Sequence, residues 1–402
     1  MSKEDPFQLP HAIDRFALER RRFLAEGALY GVGVGILGEL GLSACVSNSK
    51  QTSASPTSAA APASGSGTAP AATGGGATPP MFPPLPPEPA VAQPAPLHEL
   101  QGKVAYITAA SDGIGLGIAR AASNAGMKVC IGYRNEERLK AALPLFTPGN
   151  AGVFPVKHDV TDRAGWAQAL AQIKAQYGRL HLVVNNAGLK TFARVSKVSY
   201  EEWDNAVAVN YTATYNSVAV CLPHMLEHGE GSHIVVTSSM SGLLPGGPLG
   251  VYTATKIAAV GLIEALRIEL EGTTVGTSAF CPGGVNTDNY LGSGAENPFR
   301  KSHPPPAAFR NLRGPPPGMD PLEAGERVLN GVINNDLFII THPEYMPGTQ
   351  QRFDAMLSSE PIEDPPPEAR VRGERRVLHA GIYKREIAHR HKPRKSYRSV
   401  TV

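Results

Sequence analysis

Short apolar segments alternate with helix-like segments between residues 98 and 360, and this alternation limits the possible fold more than any other feature of the chain. Apolar runs of about four to eight residues, bounded by glycine, proline or polar residues, are typical of buried strands. When helices separate such strands, the strands run parallel and both faces of the sheet are covered. We therefore expect a single α/β domain with a Rossmann-like, doubly wound parallel sheet and disordered extensions at both ends. The predicted strands are 103–108, 127–132, 153–157, 180–184, 232–238, 273–280 and 337–340.

A glycine-containing turn joins the first predicted strand to the first predicted helix, 116–125. Its sequence is Thr-Ala-Ala-Ser-Asp-Gly-Ile-Gly, from residue 108 to residue 115. Glycines at this place let the backbone approach a pyrophosphate, and the free N–H groups of a helix N-terminus favour an anion. The turn therefore predicts a dinucleotide site. Its predicted contacts are Thr108, Ser111, Asp112, Gly113, Ile114 and Gly115.

Tyr252 and Lys256 lie four residues apart, and Ser239 precedes them just after an apolar predicted strand. Residues at this spacing share one face of a helix. An ammonium group beside a phenol favours the phenolate and lowers the phenol pKa, so that the phenol can exchange a proton near neutral pH. Taken alone, such a pair is more often two solvated side chains. The strand and the glycine- and proline-rich loop before it favour an acid/base site, in which Ser239 holds the substrate oxygen.

With these motifs the chain resembles the short-chain dehydrogenase/reductase family over residues 98–290, and more weakly to about residue 358. The resemblance implies that Tyr252 is the general acid/base and that Lys256 lowers its pKa while binding the nicotinamide ribose. It implies that Ser239 orients a substrate carbonyl and that Asn210 holds a water in a proton relay. A small-molecule carbonyl or alcohol substrate and a homo-oligomer follow from the same resemblance. The motifs, in the family's order, are the glycine turn, Asp159-Val160, Asn185-Asn186-Ala187-Gly188, Asn210, Ser239, Tyr252 with Lys256, and Pro282-Gly283.

The resemblance also predicts cofactor contacts after the other strands. Asp159 would lie near the adenine ring. It has a second interpretation as the N-terminal cap of the next helix, a role that Thr161 or Asp162 could fill instead. The contacts predicted in addition to the glycine turn are Asp159, Val160, Asn186, Ala187, Tyr252, Lys256, Pro282, Gly283, Val285 and Thr287.

Four positions leave the family interpretation open. The amides of Asn185 and Asn186 can brace the sheet edge as well as touch a cofactor. Asn210 lies within a predicted helix, 200–227, where a single asparagine usually faces solvent. Ala109 stands where the family usually has glycine. Because alanine resists positive φ, we expect an ordinary backbone conformation at this position.

The tip of the second predicted strand reads Gly-Tyr-Arg-Asn and has no carboxylate. A carboxylate there would bind a ribose 2′-hydroxyl and repel a 2′-phosphate, whereas Arg134 offers a phosphate a planar, permanently charged donor group. We therefore expect NADP as the cofactor, with NAD as the alternative. Arg134 could instead cap the sheet edge or pair with Glu137, as surface arginines often do.

The first 97 residues differ in character from the rest of the chain. Arg20-Arg21-Arg22-Phe23-Leu24 matches the twin-arginine export pattern, and Leu42-Ser43-Ala44-Cys45 has the form of a bacterial lipobox. We expect an export signal in residues 1–45 and membrane attachment through a lipid on Cys45. Two glutamates interrupt the apolar part of this segment and favour the alternative, a cytoplasmic protein. Residues 46–97 are rich in Ser, Ala, Thr, Gly and Pro and predict a disordered linker.

Beyond residue 287 the family pattern weakens. Residues 288–320 are rich in proline and glycine, and the resemblance assigns this region to a lid over the substrate. Lysine and arginine accumulate from residue 365, and we expect a basic, disordered tail over 361–402. No nucleic-acid-reading motif accompanies that charge, so we expect no nucleic-acid partner. The remaining cysteines lack the spacing of metal ligands and are expected to be buried thiols, without a metal site.

These observations predict an oxidoreductase that reversibly reduces a carbonyl, or oxidises the corresponding secondary alcohol, with a nicotinamide cofactor. The alternative is a nucleotide-binding regulatory or scaffold protein that keeps the fold without turnover. The set of Asn210, Ser239, Tyr252 and Lys256 argues against that alternative, because a protein that only binds a nucleotide has no need of them.

Overall fold

The computed structural model describes residues 95–147, 152–287, 298, 302–304, 318–359, 366–374 and 381–390. Within them, seven strands form one parallel sheet in the order β3-β2-β1-β4-β5-β6-β7. This confirms the predicted fold class, and each predicted strand is found within a few residues of its expected place. The strands are β1 (Val104–Ile107), β2 (Lys128–Tyr133), β3 (Val153–Lys157), β4 (Leu182–Asn185), β5 (Ser232–Thr237), β6 (Val275–Cys281) and β7 (Phe338–Ile340).

Helices connect these strands and cover both faces of the sheet. The long predicted helix 200–227 is divided, because a π-helical segment, Ala208–Thr212, separates two α-helices. The helices are α1 (Gly113–Asn124), α2 (Glu136–Ala142), α3 (Arg163–Tyr177), α4 (Tyr200–Val207), α5 (Ala213–His228), α6 (Gly250–Glu269), α7 (Pro321–Asn334), α8 (Met346–Leu357), α9 (Glu368–Gly373) and α10 (Ile382–Arg390).

The first strand shows why these segments read as continuous apolar runs. Successive side chains of a strand point to opposite faces of the sheet. In β1, Ala105 and Ile107 join a core formed with α1 and α7, whereas Val104 and Tyr106 join a core formed with α3 and α5. Because both faces are buried, every position in the strand must be apolar.

The strand order reverses around β1, and this reversal places the site. The chain builds outward from β1 through β2 to β3, then crosses back to β4 on the other side of β1 and continues outward to β7. Loops that follow β1 and β4 therefore leave the sheet in opposite directions and open a crevice at the carboxyl ends of the strands.

Two predictions about the ends of the domain differ from the structure. Leu97 was assigned to the linker by composition, yet it is 1% exposed and belongs to the core on the α1 side of the sheet. Part of the tail is helical, and α10 packs on the sheet edge and on α6. Its Glu386 carboxylate accepts a hydrogen bond from the Leu337 N–H at 3.0 Å, and its Tyr383 hydroxyl donates to Glu264 at 3.0 Å.

Other predictions lie outside the described residues, namely the export signal with Cys45, the linker up to residue 94 and most of the lid. Within the described residues, no helix is both long enough and apolar enough to cross a bilayer. That part of the chain also holds no group of three or more His, Cys, Asp or Glu able to bind a metal ion. Cys130, Cys221 and Cys281 are buried free thiols, as expected.

Candidate active site

A cavity of about 660 Å³ opens at the carboxyl end of the sheet. Segments that follow β1, β2, β3, β4, β5 and β6 line it, together with the start of α6. This is the place where open α/β sheets bind ligands, and a cavity of this size can enclose a cofactor and a small substrate. The sequence-predicted residues that line it are Ser111, Asp112, Gly113, Ile114, Arg134, Asp159, Val160, Asn186, Ala187, Ser239, Tyr252, Lys256, Pro282, Gly283, Val285 and Thr287.

Helix α1 begins at Gly113 beside this cavity. Asp112 is its N-terminal cap, because the Asp112 carboxylate accepts a hydrogen bond from the Gly113 N–H at 2.7 Å. Gly113 has a φ of +54°, and a Cβ there would come within 3.2 Å of the Thr287 methyl group. The glycine thus leaves room at a helix end whose dipole favours negative charge, and these residues fit the pyrophosphate of a dinucleotide.

Ala109 has a φ of +50°, so the expectation of an ordinary backbone conformation at this position is wrong. The hydrogen bonds on either side explain the difference. The Thr108 N–H donates to the Val184 carbonyl, and the Ala110 N–H donates to the Gly132 carbonyl. The chain is therefore held by β4 before Ala109 and by β2 after it, and it must turn at one residue. A residue with a Cβ in this left-handed region costs roughly 1–2 kcal/mol.

Thr108 and Gly115 support the turn from behind and do not line the cavity. The Thr108 hydroxyl oxygen accepts hydrogen bonds from the N–H groups of Asn186 at 2.8 Å and Ala187 at 3.0 Å. The Asn186 side chain donates to the Thr108 carbonyl at 3.2 Å, so it braces the sheet edge as well as lining the cavity. A Cβ on Gly115 would overlap the carbonyl oxygen of Ala109. Thr108 and Gly115, which were predicted as cofactor contacts, therefore position other residues of the cavity wall.

Arg134 and Asp159 form an ion pair at one end of the cavity, with 3.0 Å between a guanidinium nitrogen and Oδ2. Asp159 also accepts hydrogen bonds from the N–H and the hydroxyl of Thr161, at 2.9 and 2.7 Å. Burial alone would raise the pKa of Asp159, but the bonds from Thr161 and Arg134 lower it overall. The cap of α3 is Asp162, whose carboxylate accepts from the Ala164 N–H. Of the open alternatives for a cap, the structure therefore selects Asp162.

A second arginine, Arg138, lies at the same end and was not singled out from the sequence. Its guanidinium is 2.6 Å from the Asp112 carboxylate, which connects α2 with the start of α1. Asn135 caps α2 by accepting from the N–H groups of Glu137 and Arg138. The available signal for an anion-binding end was a pair of cations four residues apart, with Arg134 in the turn after β2 and Arg138 in the first turn of α2.

Ser239, Tyr252 and Lys256 line one wall of the cavity. Ser239 follows β5, and its hydroxyl oxygen accepts a hydrogen bond from the Ser241 N–H at 3.1 Å. Tyr252 and Lys256 lie in the first two turns of α6, and the Lys256 Nζ is 5.6 Å from the centroid of the Tyr252 ring. The Lys256 ammonium donates to the Thr237 carbonyl at 2.7 Å. The strand end and the helix thus bring a hydroxyl, a phenol and an ammonium group together.

The pKa of Tyr252 differs from the prediction that Lys256 lowers it. Burial raises the pKa of the Tyr252 phenol, a hydrogen bond with Ser239 lowers it in part, and the neighbouring Cys281 raises it further. Burial also lowers the pKa of Lys256 to about 8. The physical reason is that burial disfavours the charged phenolate, and the Lys256 ammonium, which is bonded to the Thr237 carbonyl, does not offset that cost.

Asn210 lies in the π-helical segment and is 2% exposed, so it does not face solvent. Its side-chain oxygen accepts from the Leu189 N–H at 2.7 Å, and its amide donates to the Leu189 carbonyl at 2.9 Å and to the Thr255 hydroxyl at 3.1 Å. It does not line the cavity. Gly188 separates it from the site, since a Cβ there would lie 3.3 Å from the Lys256 Nζ and 3.5 Å from the Asn210 oxygen.

The rest of the cavity wall is mostly apolar and could not be specified from the sequence. It includes residues 244–249, in the loop before α6, and Tyr345. Lys190 and Phe192, on the segment after β4, were also missed. No spacing pattern distinguishes these residues, because they meet only through the packing of separate loops.

Known proteins resemble this chain over most of its described domain. The family model described as short chain dehydrogenase matches residues 103–296. Oxidoreductase UcpA of Salmonella typhimurium is 33% identical over 264 residues, which are 64% of this chain and 95% of that protein. A C alpha-dehydrogenase of Sphingobium sp. is 28% identical over 290 residues, which are 69% of this chain and 93% of that protein. A short chain dehydrogenase/reductase from Burkholderia phymatum, solved in complex with NAD, has a TM-score of 0.58 at 27% identity and covers 66% of this chain and 98% of its own.

Proposed function

Because the chain belongs to the short-chain dehydrogenase/reductase family, we propose that it interconverts a carbonyl and a secondary alcohol by hydride transfer, with NADP as cofactor and Tyr252 as general acid/base. Family membership makes it an oxidoreductase, and its relatives are named dehydrogenases and oxidoreductases. The observation that carries the finer proposal is the meeting of Ser239, Tyr252 and Lys256 in the cavity that begins at the N-terminus of α1.

Tyr252 is the proton donor and acceptor in this proposal. When bound, a nicotinamide nucleotide would provide the hydride, which is one hydrogen nucleus with two electrons, that reduces the carbonyl carbon. Tyr252 gives its phenol proton to the carbonyl oxygen, which completes the alcohol, and Ser239 donates a hydrogen bond to the same oxygen. In oxidation, Tyr252 takes the hydroxyl proton instead. Its raised pKa keeps the phenol protonated at neutral pH, in the form that reduction requires.

Lys256 and Asn210 prepare the same site. With a pKa of about 8, Lys256 is mostly protonated at neutral pH and would bind the ribose of the nucleotide while stabilising the phenolate that forms. Asn210 fixes the backbone of Leu189, and through it the wall that borders Lys256. In this proposal Asn210 is a positioning residue, and the water-holding role in a proton relay that the resemblance implies for it stays a prediction.

The preference for NADP rests on two guanidinium groups, Arg134 and Arg138. Both line the cavity just past β2, and each is held by a carboxylate, Asp159 or Asp112. An arginine fixed in this way keeps its charge and its planar donor group directed to one place, which suits a 2′-phosphate.

A panel of aldehydes, ketones and secondary alcohols, followed through nicotinamide absorbance, tests the proposed function. We expect turnover of at least one carbonyl compound, with kcat/KM roughly tenfold or more higher with NADPH than with NADH. If the nucleotide binds and no member of the panel turns over, a regulatory binding protein explains the chain better.

A further inference from the structure

The loop that follows β6, residues 282–287, borders the cavity from the proposed catalytic serine to the glycine turn. At its start, the Pro282 carbonyl accepts a hydrogen bond at 2.8 Å from the N–H of Met240, the residue after that serine. At its end, a Cβ on Gly113 would come within 3.2 Å of the Thr287 methyl group. A dinucleotide with its pyrophosphate at the start of α1 and its reacting carbon beside the serine would therefore have its nicotinamide half along this loop.

The ring of His342, in the segment after β7, packs on the middle of this loop and is 8% exposed. Its Nδ1 accepts a hydrogen bond from the Gly283 N–H at 2.9 Å, and its Nε2 lies 3.0 Å from the Gly284 carbonyl oxygen. A Cβ on Gly283 would come within 2.6 Å of the ring, so the contact leaves no space for another group. One side chain thus fixes the backbone of two successive residues.

These contacts define the protonation of the ring. Because a backbone N–H can only donate, Nδ1 carries no proton, and the Thr341 hydroxyl, 2.8 Å from the same nitrogen, also donates to it. The proton is then on Nε2, which donates to the Gly284 carbonyl. His342 is therefore a neutral imidazole that accepts on one side and donates on the other, a combination that an apolar side chain cannot supply.

Other residues hold the two ends of the loop. Met240 bonds to its first residue, and the Met319 N–H donates to the Gly284 carbonyl at 2.9 Å. The Met319 carbonyl accepts from the Asn286 N–H at 2.9 Å, nearer to the glycine turn. Between these two supports, the Gly283 N–H is held by His342. Loss of the imidazole therefore leaves a buried donor unpaired at the part of the loop that is nearest to the reacting end.

We propose that His342 is a positioning residue, which fixes the loop 282–287 so that the nicotinamide half of the cofactor is held in place for hydride transfer. This inference rests on the proposed function and adds a residue to it. Among the described residues, the wall of the cavity includes Gly283 but not His342, so His342 acts through the loop. A misplacement of about 1 Å at reacting atoms can lower a rate by about 10²-fold, so a small shift of this loop is sufficient.

Nucleotides with and without the nicotinamide ring separate this role from a general effect on folding. NADPH is compared with 2′-phospho-ADP-ribose, and NADH with ADP-ribose, because the members of each pair differ only in that ring. Dissociation constants are measured by calorimetry with the full chain, without a carbonyl substrate. The pair that the wild type binds more tightly is then used for the variants.

Two substitutions of His342 and one of Gly283 test the contact. His342→Leu keeps a side chain of similar size without hydrogen bonds, and His342→Asn keeps an acceptor near the position of Nδ1. Gly283→Ala adds the methyl group that meets the ring. His224→Leu is the control, because His224 is also 8% exposed and accepts from a backbone N–H, that of Leu180, but does not border the cavity.

The wild type should bind the nucleotide with the ring more tightly than the one without it. His342→Leu and Gly283→Ala should lower this advantage about fivefold or more, while the affinity for the nucleotide without the ring stays within about twofold. His342→Asn should recover part of the advantage, and His224→Leu should keep all of it. In turnover, His342→Leu should lower kcat about tenfold or more and change KM for the carbonyl compound less than about threefold.

Equal losses of affinity for both members of the pair overturn the inference, because His342 then only stabilises the fold. A wild type that gains no affinity from the ring, or a His342→Asn variant no better than His342→Leu, overturns it as well. If His342→Leu does not fold, the ratio of the two affinities in Gly283→Ala decides. If no carbonyl compound turns over, the proposed function fails, and the binding ratios alone decide the role of His342.

Discussion

Ala109 keeps a left-handed backbone because its neighbours are fixed, and it does so without the freedom of glycine. Its methyl group is exposed in the cavity, so removing it deletes little packing. We expect Ala109→Gly to raise the free energy of unfolding by about 1 kcal/mol, measured by urea denaturation. The control is Ala110→Gly, where the residue is buried and φ is not positive, and it should be destabilising. No gain in Ala109→Gly would mean that the turn is not strained.

The specificity for the cofactor is also a property of single residues. Arg134→Ala and Arg138→Ala should each weaken the binding of NADPH by about 1.5–3 kcal/mol. The affinity for NADH should change little, because the lost guanidinium would have met only the 2′-phosphate. Fluorescence titration of both nucleotides measures this difference. Lys140 is an exposed lysine of α2, the helix that also carries Arg138, and Lys140→Ala should change neither affinity. Equal losses of affinity for NADPH and NADH would show that neither arginine determines the preference for NADP.

Some residues of the site could be predicted from the sequence and others could not, for a physical reason. Tyr252 and Lys256 have a helical spacing, and Ser239 follows a recognisable strand. Lys190 and Arg138 belong to no recognisable sequence motif, because their surroundings are set by residues of other segments. The pKa of Tyr252 was predicted in the wrong direction, because a spacing shows that two side chains share a face but not how strongly burial disfavours the phenolate.

Helices α1 and α7 cross so closely that their backbones touch. A Cβ on Gly117 would overlap the carbonyl oxygen of Pro321, and a Cβ on Gly325 would overlap the carbonyl of Gly117. Since α1 presents its N-terminus to the cavity, this crossing also fixes the position of the glycine turn. The two glycines are separated by more than 200 residues of sequence, so the contact could not be predicted from a local pattern.

Two glycine substitutions test this crossing at the level of the element. Gly325→Ala should lower the free energy of unfolding by about 1–3 kcal/mol, because the added methyl meets backbone atoms that cannot turn aside. Gly261 lies in the interior of α6 with open space around it. Gly261→Ala should therefore raise the free energy of unfolding by about 0.5–1 kcal/mol, because alanine has a higher helix propensity than glycine. Urea midpoints measure both. A Gly325→Ala variant as stable as the wild type would contradict the close crossing.

The sheet was the most predictable element and the divided helix the least. Buried parallel strands leave a plain signal, because they contain runs of apolar side chains, as in β1 and in the centre of β5. The π-helical segment leaves none, since a single extra residue in a turn does not disturb the apolar pattern around it. Helix α10 was missed because its contacts, such as the hydrogen bond at Glu386 and the packing of Ile382 into a core cluster, are with residues distant in sequence.

Buried histidines make the stability of the whole molecule depend on pH. His224 is buried in α5, where its Nε2 accepts from the Leu180 N–H, and burial together with His228 lowers its pKa to about 4. Burial likewise lowers the pKa of His233 far below its usual value. Each is neutral in the folded chain, whereas the unfolded chain binds a proton below about pH 6.5. Stability should therefore be full above that pH and fall as the pH drops towards 4.

Urea midpoints between about pH 7 and pH 5 measure this loss, which is at most about 1.4 kcal/mol per pH unit for each histidine. His224→Gln keeps an acceptor for the Leu180 N–H and cannot titrate, so its stability should fall less steeply. His98→Gln, at an exposed position, should keep the slope of the wild type. An unchanged slope in His224→Gln would show that His224 is already charged in the folded state.

Turnover by Tyr252→Phe tests the central claim for the molecule most directly. The substitution removes the phenol oxygen and keeps the ring, so that proton exchange is lost while nucleotide affinity is nearly unchanged. We expect kcat/KM to fall by a factor of about 10²–10⁴, with the dissociation constant of NADPH within about threefold of the wild type. Tyr215→Phe, at an exposed tyrosine of α5, should retain full activity. A Tyr252→Phe enzyme that kept more than roughly a tenth of the wild-type rate would contradict the assignment of Tyr252 as the general acid/base.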